Sequence, residues 1–190
     1  MALLGTPFEV IAPEFDEKIT ARRPIEDEVL QFAVGKAQSV AIKNPDSLVI
    51  GSDTMIHLDG EKIGKPQDAG DARRILTMLS GKTHEIYTSV AIIDRAGGEG
   101  LRVIERVLVT MRALSPQKID TYLAEGESLD KAGAYSIQGR GRSLIAALAG
   151  DYLAAVGMPL IPIADYLRER GVKLPKDISR FYISNNLPIA

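Results

Sequence analysis

The chain has 190 residues, of which 45% are hydrophobic, so it can bury one sizeable core and hardly two. Its formal net charge of -2 supplies no broad basic field, which argues against nucleic-acid wrapping and against anchoring on an anionic membrane. It contains no cysteine, which excludes disulfides, zinc–thiolate sites and thiol nucleophiles. With no long apolar run and no secretory signal, the sequence predicts a cytoplasmic protein with a small partner.

The first predicted elements are a short strand at residues 8–11 and a loop beyond it that carries Glu17. A helix is predicted from Pro24, because acidic residues fill its first turn and apolar residues recur at helical spacing as far as Val40. Lys36 lies at the margin of that apolar stripe. Its ammonium group could reach a cleft, although a lone helical lysine is more often solvated.

The run from Gly51 to Thr54 reads Gly-Ser-Asp-Thr and follows an apolar stretch. This pattern predicts a buried strand that opens into a loop, with Asp53 at the strand's end, where ligands of open α/β sheets usually bind. An Asp-Thr step after a strand is also typical of a turn or a helix cap. The segment alone therefore leaves both interpretations open.

Asp59-Gly60 stands between two extended apolar segments, which predicts a tight hairpin that returns the chain to Lys65. Asp53 and Lys65 could then face one pocket. A carboxylate and an ammonium group suit metal-assisted phosphate chemistry, because the acid can hold a divalent cation or orient water while the amine neutralises phosphate oxygens.

The remaining predicted elements are a helix capped by Asp68, antiparallel strands at 83–93 and 101–112, a helix starting at Ser115-Pro116 and a helix at 161–170. His84 invites a metal-ligand interpretation, but no histidine pair has ligand spacing on a helix, so a structural role is favoured. Residues 172–190 are expected to form a tail without an assigned role.

The segment 130–142 is rich in glycine, which permits close approach of the backbone to a ligand. Gln138 can donate and accept hydrogen bonds at once, which suits the edge of a nucleobase. Lys131, Arg140 and Arg142 could meet phosphates. A surface loop with scattered charge explains the same segment equally well.

Six blocks occur in a specific order: PFEVIAP with Glu17 downstream, GKA around Lys36, SDT at 52–54, GKP at 64–66, LSGKTHEIYTSV, and DKAGAYSIQG at 130–139. Over about residues 3–171 they resemble the Maf (septum-formation) family of nucleoside triphosphate pyrophosphatases, within the inosine-triphosphatase-like fold group. The resemblance implies one α/β domain at 1–171, with a mixed, twisted central sheet flanked by helices.

What the resemblance implies is metal-dependent hydrolysis of the α–β phosphoanhydride of a nucleoside triphosphate, with Mg²⁺ or Mn²⁺ as cofactor. By position, Asp53 matches the family's catalytic proton acceptor, and Glu17, Lys36 and Lys65 match its other charged pocket positions. Asp53 and Glu17 would hold the cation through their hard carboxylate oxygens.

Thr54 and Gln138 match the family's specificity positions, and Lys131 lies in the same substrate-binding block. Thr after the Asp, together with IQG, resembles the branch that acts on dTTP and UTP, whereas the sister branch for 7-methyl-GTP has Gln after the Asp. The resemblance also implies a homodimer. The expected partner is a nucleoside triphosphate, with no nucleic acid and no membrane.

One departure concerns the N-terminus. Family members begin with a strand and a loop of pattern S-x-S-P-R-R, which the resemblance implies is missing here. Since each lost hydrogen bond to a charged group costs about 1.5–3 kcal/mol, such a chain should be a poor catalyst. Two explanations are open: a start codon placed too far downstream, which the intact pocket residues favour, or a degenerate nucleotide-binding or cell-division-linked protein.

Overall fold

The structure, a computed structural model, describes residues 1–20, 22–94 and 98–178. Its strands form one sheet in the order β2-β1-β3-β4-β5. The strands are β1 (Val49–Leu58), β2 (Glu61–Ile63), β3 (Thr83–Asp94), β4 (Gly98–Met111) and β5 (Ile145–Ala149). The predicted α/β class with a central sheet is confirmed. A sheet of mixed direction was expected, but each described pairing is antiparallel, as reversing connections such as the β1–β2 hairpin require.

The helices are α1 (Ile25–Ala41), α2 (Ala69–Leu79), α3 (Pro116–Ala124), α4 (Tyr152–Val156) and α5 (Leu160–Glu169). The predicted helix starts are confirmed, because the side chains of Asp68 and Ser115 accept hydrogen bonds from the first-turn amides of α2 and α3. Strand β5 and the short helix α4 were not predicted from the sequence. In the described part of the chain, no helix is long and apolar enough to cross a membrane.

The two faces of the sheet are covered differently. Helix α1 packs against one face, where Val29 and Phe32 contact Met55 and Tyr87. The main core lies on the other face, between the sheet and helices α2, α4 and α5. Because side chains alternate along a strand, neighbouring residues of β1 point into these two different layers.

Two strand predictions are wrong. Residues 8–11 have no regular structure; Val10 is 87% exposed, and no described strand pairs with this segment to satisfy its backbone. Asp53 does not lie at a strand's end, because β1 continues through it to Leu58 and pairs with β3 from Val49 to His57. The predicted hairpin is confirmed, since Leu58 pairs with Glu61 around Asp59 and Gly60, which both have positive φ.

The predicted tail is only partly described. Residues 172–178 pack onto the domain: Ile178 is buried in the main core, and Pro175 lies against Gly5. Residues 179–190 lie outside the described residues.

Candidate active site

The centre of the site is the Asp53 carboxylate in the middle of β1. Asp53 is 8% exposed and pairs across the sheet with Ser89. One of its oxygens accepts a hydrogen bond from Lys36 Nζ at 2.6 Å. The same ammonium group lies 2.7 Å from Glu17 Oε1. A lysine of α1 therefore bridges two carboxylates, and the solvated alternative for Lys36 does not hold.

Gly51 explains why Lys36 reaches Asp53. A Cβ atom on Gly51 would overlap the carbonyl oxygen of Ala33 and approach the amide nitrogen of Ala37 to 2.8 Å. The α1 backbone thus rests directly on β1 at this point. Only a glycine permits this approach, which brings the turn of α1 that carries Lys36 close to Asp53.

Burial sets the protonation of this pair. Burial raises the pKa of Asp53 above the ordinary aspartate value, and the hydrogen bond from Lys36 opposes that rise without cancelling it. Burial by itself would lower the pKa of Lys36, but its hydrogen bonds to Asp53 and Glu17 outweigh burial, so the pKa of Lys36 is raised. Lys36 therefore stays an ammonium group, while Asp53 is a stronger base than an exposed aspartate.

The loop that carries Glu17 is held on both sides. On one side, the Phe15 ring lies against Gly35 and packs edge-on against Phe32, with ring centroids 5.7 Å apart. On the other, Thr20 donates from its backbone N and its hydroxyl to the carboxylate of Glu28, which is fully buried. These contacts keep Glu17 within reach of Lys36.

Glu28 is itself paired with Lys62 of β2 at 2.6 Å, and Lys62 Nζ also donates to the carbonyl oxygens of Thr20 and Arg23. From the sequence alone, Glu28 is one of several acidic residues that favour the start of α1. No local pattern distinguishes a helix-start acid that is exposed from one that meets a lysine 34 positions later.

A cavity of about 300 Å³ lies beside Asp53. Six of the seven predicted site residues line this cavity: Lys36, Asp53, Thr54, Lys65, Lys131 and Gln138. Glu17 is connected to them through Lys36. The structure thus brings together the residues that the sequence proposed, including Asp53 and Lys65 across the hairpin.

The segment 130–138 forms one wall of this cavity and is anchored at three points. Gly133 N donates to Gly64 O at 3.0 Å, beside Lys65. Ser136 N donates to the Tyr122 hydroxyl at 3.0 Å. The third anchor is the 2.6 Å hydrogen bond between the Tyr135 hydroxyl and His84 Nε2.

His84 has the structural role that was favoured for it. It is 1% exposed, and burial lowers its pKa to about 4, so the ring is neutral. Arg140 lies elsewhere: it forms an ion pair with Glu125 at 2.9 Å and lines a different small cavity. Of the basic residues proposed for this segment, Lys131 lines the central cavity.

The α4 side of β1 carries neutral hydroxyl groups. Ser52 Oγ lies 2.8 Å from Ser89 O and 2.7 Å from Gly157 O, in the turn after α4. Thr54 Oγ1 lies 2.9 Å from Thr88 Oγ1, which donates to Ala154 O at 2.8 Å. Sequence reasoning missed Ser52 and Thr88, because a strand residue with a hydroxyl group carries no local sign of the hydrogen bonds that it makes to distant segments.

The carboxylates also bear on metal binding. Over residues 1–20, 22–94 and 98–178, no cluster of three or more His, Cys, Asp or Glu side chains could hold a metal ion. Asp53 and Glu17 are the two carboxylates that converge on Lys36. Mg²⁺ is commonly bound by one or two carboxylates together with substrate phosphates, so this pair fits a cation that binds with a nucleotide.

A buried carboxylate, a lysine cluster and a polar cavity wall define a site suited to phosphate esters and anhydrides. The sequence model of the family described as Maf-like protein matches residues 1–170. The chain belongs to the Maf family.

Similar proteins include the dTTP/UTP pyrophosphatase of Moorella thermoacetica, which is 42% identical over 172 residues, covering 90% of this chain and 89% of that protein. A dTTP/UTP pyrophosphatase of Bacillus cereus is 41% identical over 169 residues, covering 89% of this chain and 87% of that protein. The dTTP/UTP pyrophosphatase of Bacillus anthracis has the same identity and coverage.

Proposed function

We propose that this protein hydrolyses the α–β phosphoanhydride of dTTP and UTP, releasing a nucleoside monophosphate and pyrophosphate. The observation that carries the proposal is the buried Asp53–Lys36 pair in a cavity that Lys65 and Lys131 also line. The similar proteins of Moorella thermoacetica and Bacillus cereus are dTTP/UTP pyrophosphatases, which supports this choice of substrate.

The lysines can offset the negative charge of the substrate's phosphates. A triphosphate carries several negative charges, which must be offset before a nucleophile can approach the α-phosphorus. Lys36, Lys65 and Lys131 supply three ammonium groups around the cavity. Lys131 is also paired with Asp130 at 2.7 Å, so its charge is partly compensated before a ligand binds.

Asp53 is the general base in this mechanism. Water attacks the α-phosphorus, the bond from that phosphorus to the bridging oxygen breaks, and pyrophosphate leaves with the bond's electron pair. Asp53 takes the proton from the attacking water, and the raised pKa of its carboxyl makes it better suited to this task. Lys36, fixed by its two carboxylate partners, remains charged throughout.

The cofactor in this proposal is Mg²⁺ or Mn²⁺, which Asp53 and Glu17 would hold through their carboxylate oxygens. When bound, it would neutralise phosphate charge and polarise the anhydride. Thr54 and Gln138 line the same cavity and are assigned to the nucleobase. The cytoplasmic location and the homodimer stay predictions, the second of which light scattering on the purified protein would test.

The test is a hydrolysis assay on the purified protein with UTP, dTTP, CTP, ATP and GTP in the presence of Mg²⁺ or Mn²⁺. We expect monophosphate and pyrophosphate in equal amounts from UTP and dTTP, and Asp53→Asn should lower kcat by at least about 1,000-fold. Asp59→Asn is the control, since Asp59 is a hairpin residue whose positive φ asparagine tolerates. Undiminished activity in Asp53→Asn would remove Asp53 from the mechanism.

A further inference from the structure

Lys62 of β2 is a buried lysine whose three ammonium protons are all in use. Its side chain is 10% exposed. Its Nζ lies 2.6 Å from Glu28 Oε2 and 2.6 Å from each of the carbonyl oxygens of Thr20 and Arg23. An ammonium group has three N–H donors and no acceptor, so these three oxygens saturate it. Lys62 therefore has no donor left for a ligand, and its role lies in what it holds.

What Lys62 holds is the segment that carries Glu17. Residues 6–20 have no regular secondary structure, so their position depends on side-chain contacts. Thr20 follows Glu17 by three residues and is fixed twice. Its carbonyl oxygen accepts a hydrogen bond from Lys62, and its amide and hydroxyl groups donate to Glu28. Glu28 in turn depends on Lys62, because a fully buried carboxylate needs a partner charge. Removing the Lys62 charge would thus loosen both attachments of Thr20.

The Glu28–Lys62 pair fixes a geometry rather than adding stability. Replacing a buried ion pair by well-packed apolar side chains is often neutral or stabilising, so stability by itself does not require this pair. Charge-assisted hydrogen bonds, however, are short and directional. The contact that depends on this geometry is the one between Glu17 Oε1 and Lys36 Nζ at 2.7 Å, which a displacement of about 1 Å would break.

We propose that Lys62 is a positioning residue of the hydrolysis, which holds Glu17 against Lys36 and thereby sets how well the site binds its divalent cation. This inference rests on the proposed function and adds to it a residue that the nucleotide does not touch. Lys65, three residues further along the chain, lines the cavity beside Asp53. The β2 segment therefore supports the site from both sides.

The first test measures the Glu17 segment without metal or nucleotide. Trypsin cleaves after lysine, and the side chain of Lys18, the residue after Glu17, is 82% exposed. Cleavage requires the surrounding backbone to open, so its rate reports how firmly the segment is held. In Lys62→Met, we expect cleavage after Lys18 to be at least about tenfold faster than in the wild type, the factor that corresponds to one lost hydrogen bond of a charged group. Mass spectrometry of the fragments identifies the cleaved bond.

The second test measures whether Lys62 acts through Glu17. Lys62→Met should lower kcat/KM for UTP by about 10- to 100-fold and raise the Mn²⁺ concentration needed for half-maximal activity, and Glu17→Gln should do the same. If Lys62 works by placing Glu17, the double variant Glu17→Gln/Lys62→Met should be no worse than Glu17→Gln alone. A lysine that only stabilises the fold would instead multiply the two losses.

Two further variants separate positioning from simple damage. Lys82→Met is the matched control, because Lys82 forms an exposed pair with Asp59 of the same hairpin at 3.0 Å, and it should change neither the cleavage rate nor kcat/KM. Since Lys62→Met leaves Glu28 as an unpaired buried charge, Glu28→Gln/Lys62→Met, which removes both charges, is measured beside it. This uncharged variant should stay folded and still show faster cleavage and a lower kcat/KM.

The inference is overturned if folded variants without the Lys62 charge keep the wild-type rates of cleavage and hydrolysis, or if the losses from Glu17→Gln and Lys62→Met multiply. A wild-type protein that hydrolyses no nucleoside triphosphate would count against the proposed function instead. The rate of cleavage after Lys18 would then still decide whether Lys62 holds the segment.

Discussion

The two faces of β1 differ in chemistry although they are formed by alternating residues of one strand. On the α1 face, Asp53 meets Lys36 and Glu17, and the contacts are between charges in a buried setting. On the α4 face, Ser52 and Thr54 form hydrogen bonds only with neutral oxygens. The strand thus separates a charged half of the site from a neutral half within a single residue step.

This difference teaches how one short motif can serve two purposes. Phosphate groups are best bound by a partly buried cation, which a neighbouring carboxylate holds in place. A neutral nucleobase is instead bound by hydrogen bonds, which hydroxyl groups can supply. A one-residue shift of β1 would exchange the two faces completely. The register of β1 against β3 is therefore as important to the site as the identity of its residues.

Gly51→Ala should have the largest effect, because it breaks the charged face alone. The added Cβ would overlap the α1 backbone, so the helix must move away from β1 and take Lys36 from Asp53. We expect a loss of about 2–3 kcal/mol in unfolding free energy and a fall in kcat/KM of more than tenfold. Urea denaturation and the pyrophosphate assay measure the two effects.

Gly60→Ala serves as its control. Gly60 has open space around a new Cβ but a φ of +88°, so the variant should lose about 1 kcal/mol from backbone strain with little change in kcat/KM. Equal losses of activity in both variants would mean that the α1 contact is not what positions Lys36.

Lys36→Met should be next in size. It leaves Asp53 and Glu17 without their shared cation while keeping the length and packing of the side chain. Without that charge, kcat/KM should fall by about 100-fold, and the buried Asp53 carboxylate, left without its cation, should also lower the unfolding free energy. Lys43→Met removes an exposed lysine paired with Glu14 and should have no effect on either quantity. A kcat/KM of Lys36→Met close to that of the wild type would show that the charge of Lys36 contributes little to catalysis.

The Asp53→Asn variant sharpens the comparison through pH. Because the folded-state pKa of Asp53 is raised, neutral Asp53 favours folding more than ionised Asp53 does. The stability that the neutral form contributes is therefore lost as the pH rises through that pKa. The Asn variant lacks this loss. It should therefore be at least as stable as the wild type at pH 8, with the difference shrinking toward acidic pH. Unfolding free energies measured from pH 8 down to about pH 4, near the ordinary aspartate pKa, test this, and a variant less stable at pH 8 contradicts it.

Ser52→Ala should have the smallest effect and tests the neutral face. One hydroxyl that bridges β3 and the Gly157 turn is lost, which costs about 1 kcal/mol. The turn forms part of the cavity wall, so KM for UTP should rise a few-fold while kcat stays the same. The exposed Ser143 provides the control as Ser143→Ala. A fall in kcat instead would connect Ser52 to the charged face.

Much of the local structure followed from the sequence. The helix beginning near Pro24, the caps at Asp68 and Ser115, and the Asp59-Gly60 hairpin each depend on neighbouring residues, and all are present. Two predictions made on the same basis were wrong. The strand at 8–11 has no described partner strand, and β1 continues past Asp53 because β3 pairs with it throughout. Strand ends depend on pairing partners, which a local pattern does not contain.

The sequence by itself predicted a set of site residues that line one cavity: a carboxylate at 53, lysines at 36, 65 and 131, and polar side chains at 54 and 138. It did so because their order along the chain is specific. Only the tertiary structure decided that Lys36 bridges Asp53 and Glu17, that Gly51 lets α1 approach, and that Thr88 lies within hydrogen-bond distance of Thr54 and Ala154. These are contacts between distant segments, whose distances depend on how helix and sheet pack together.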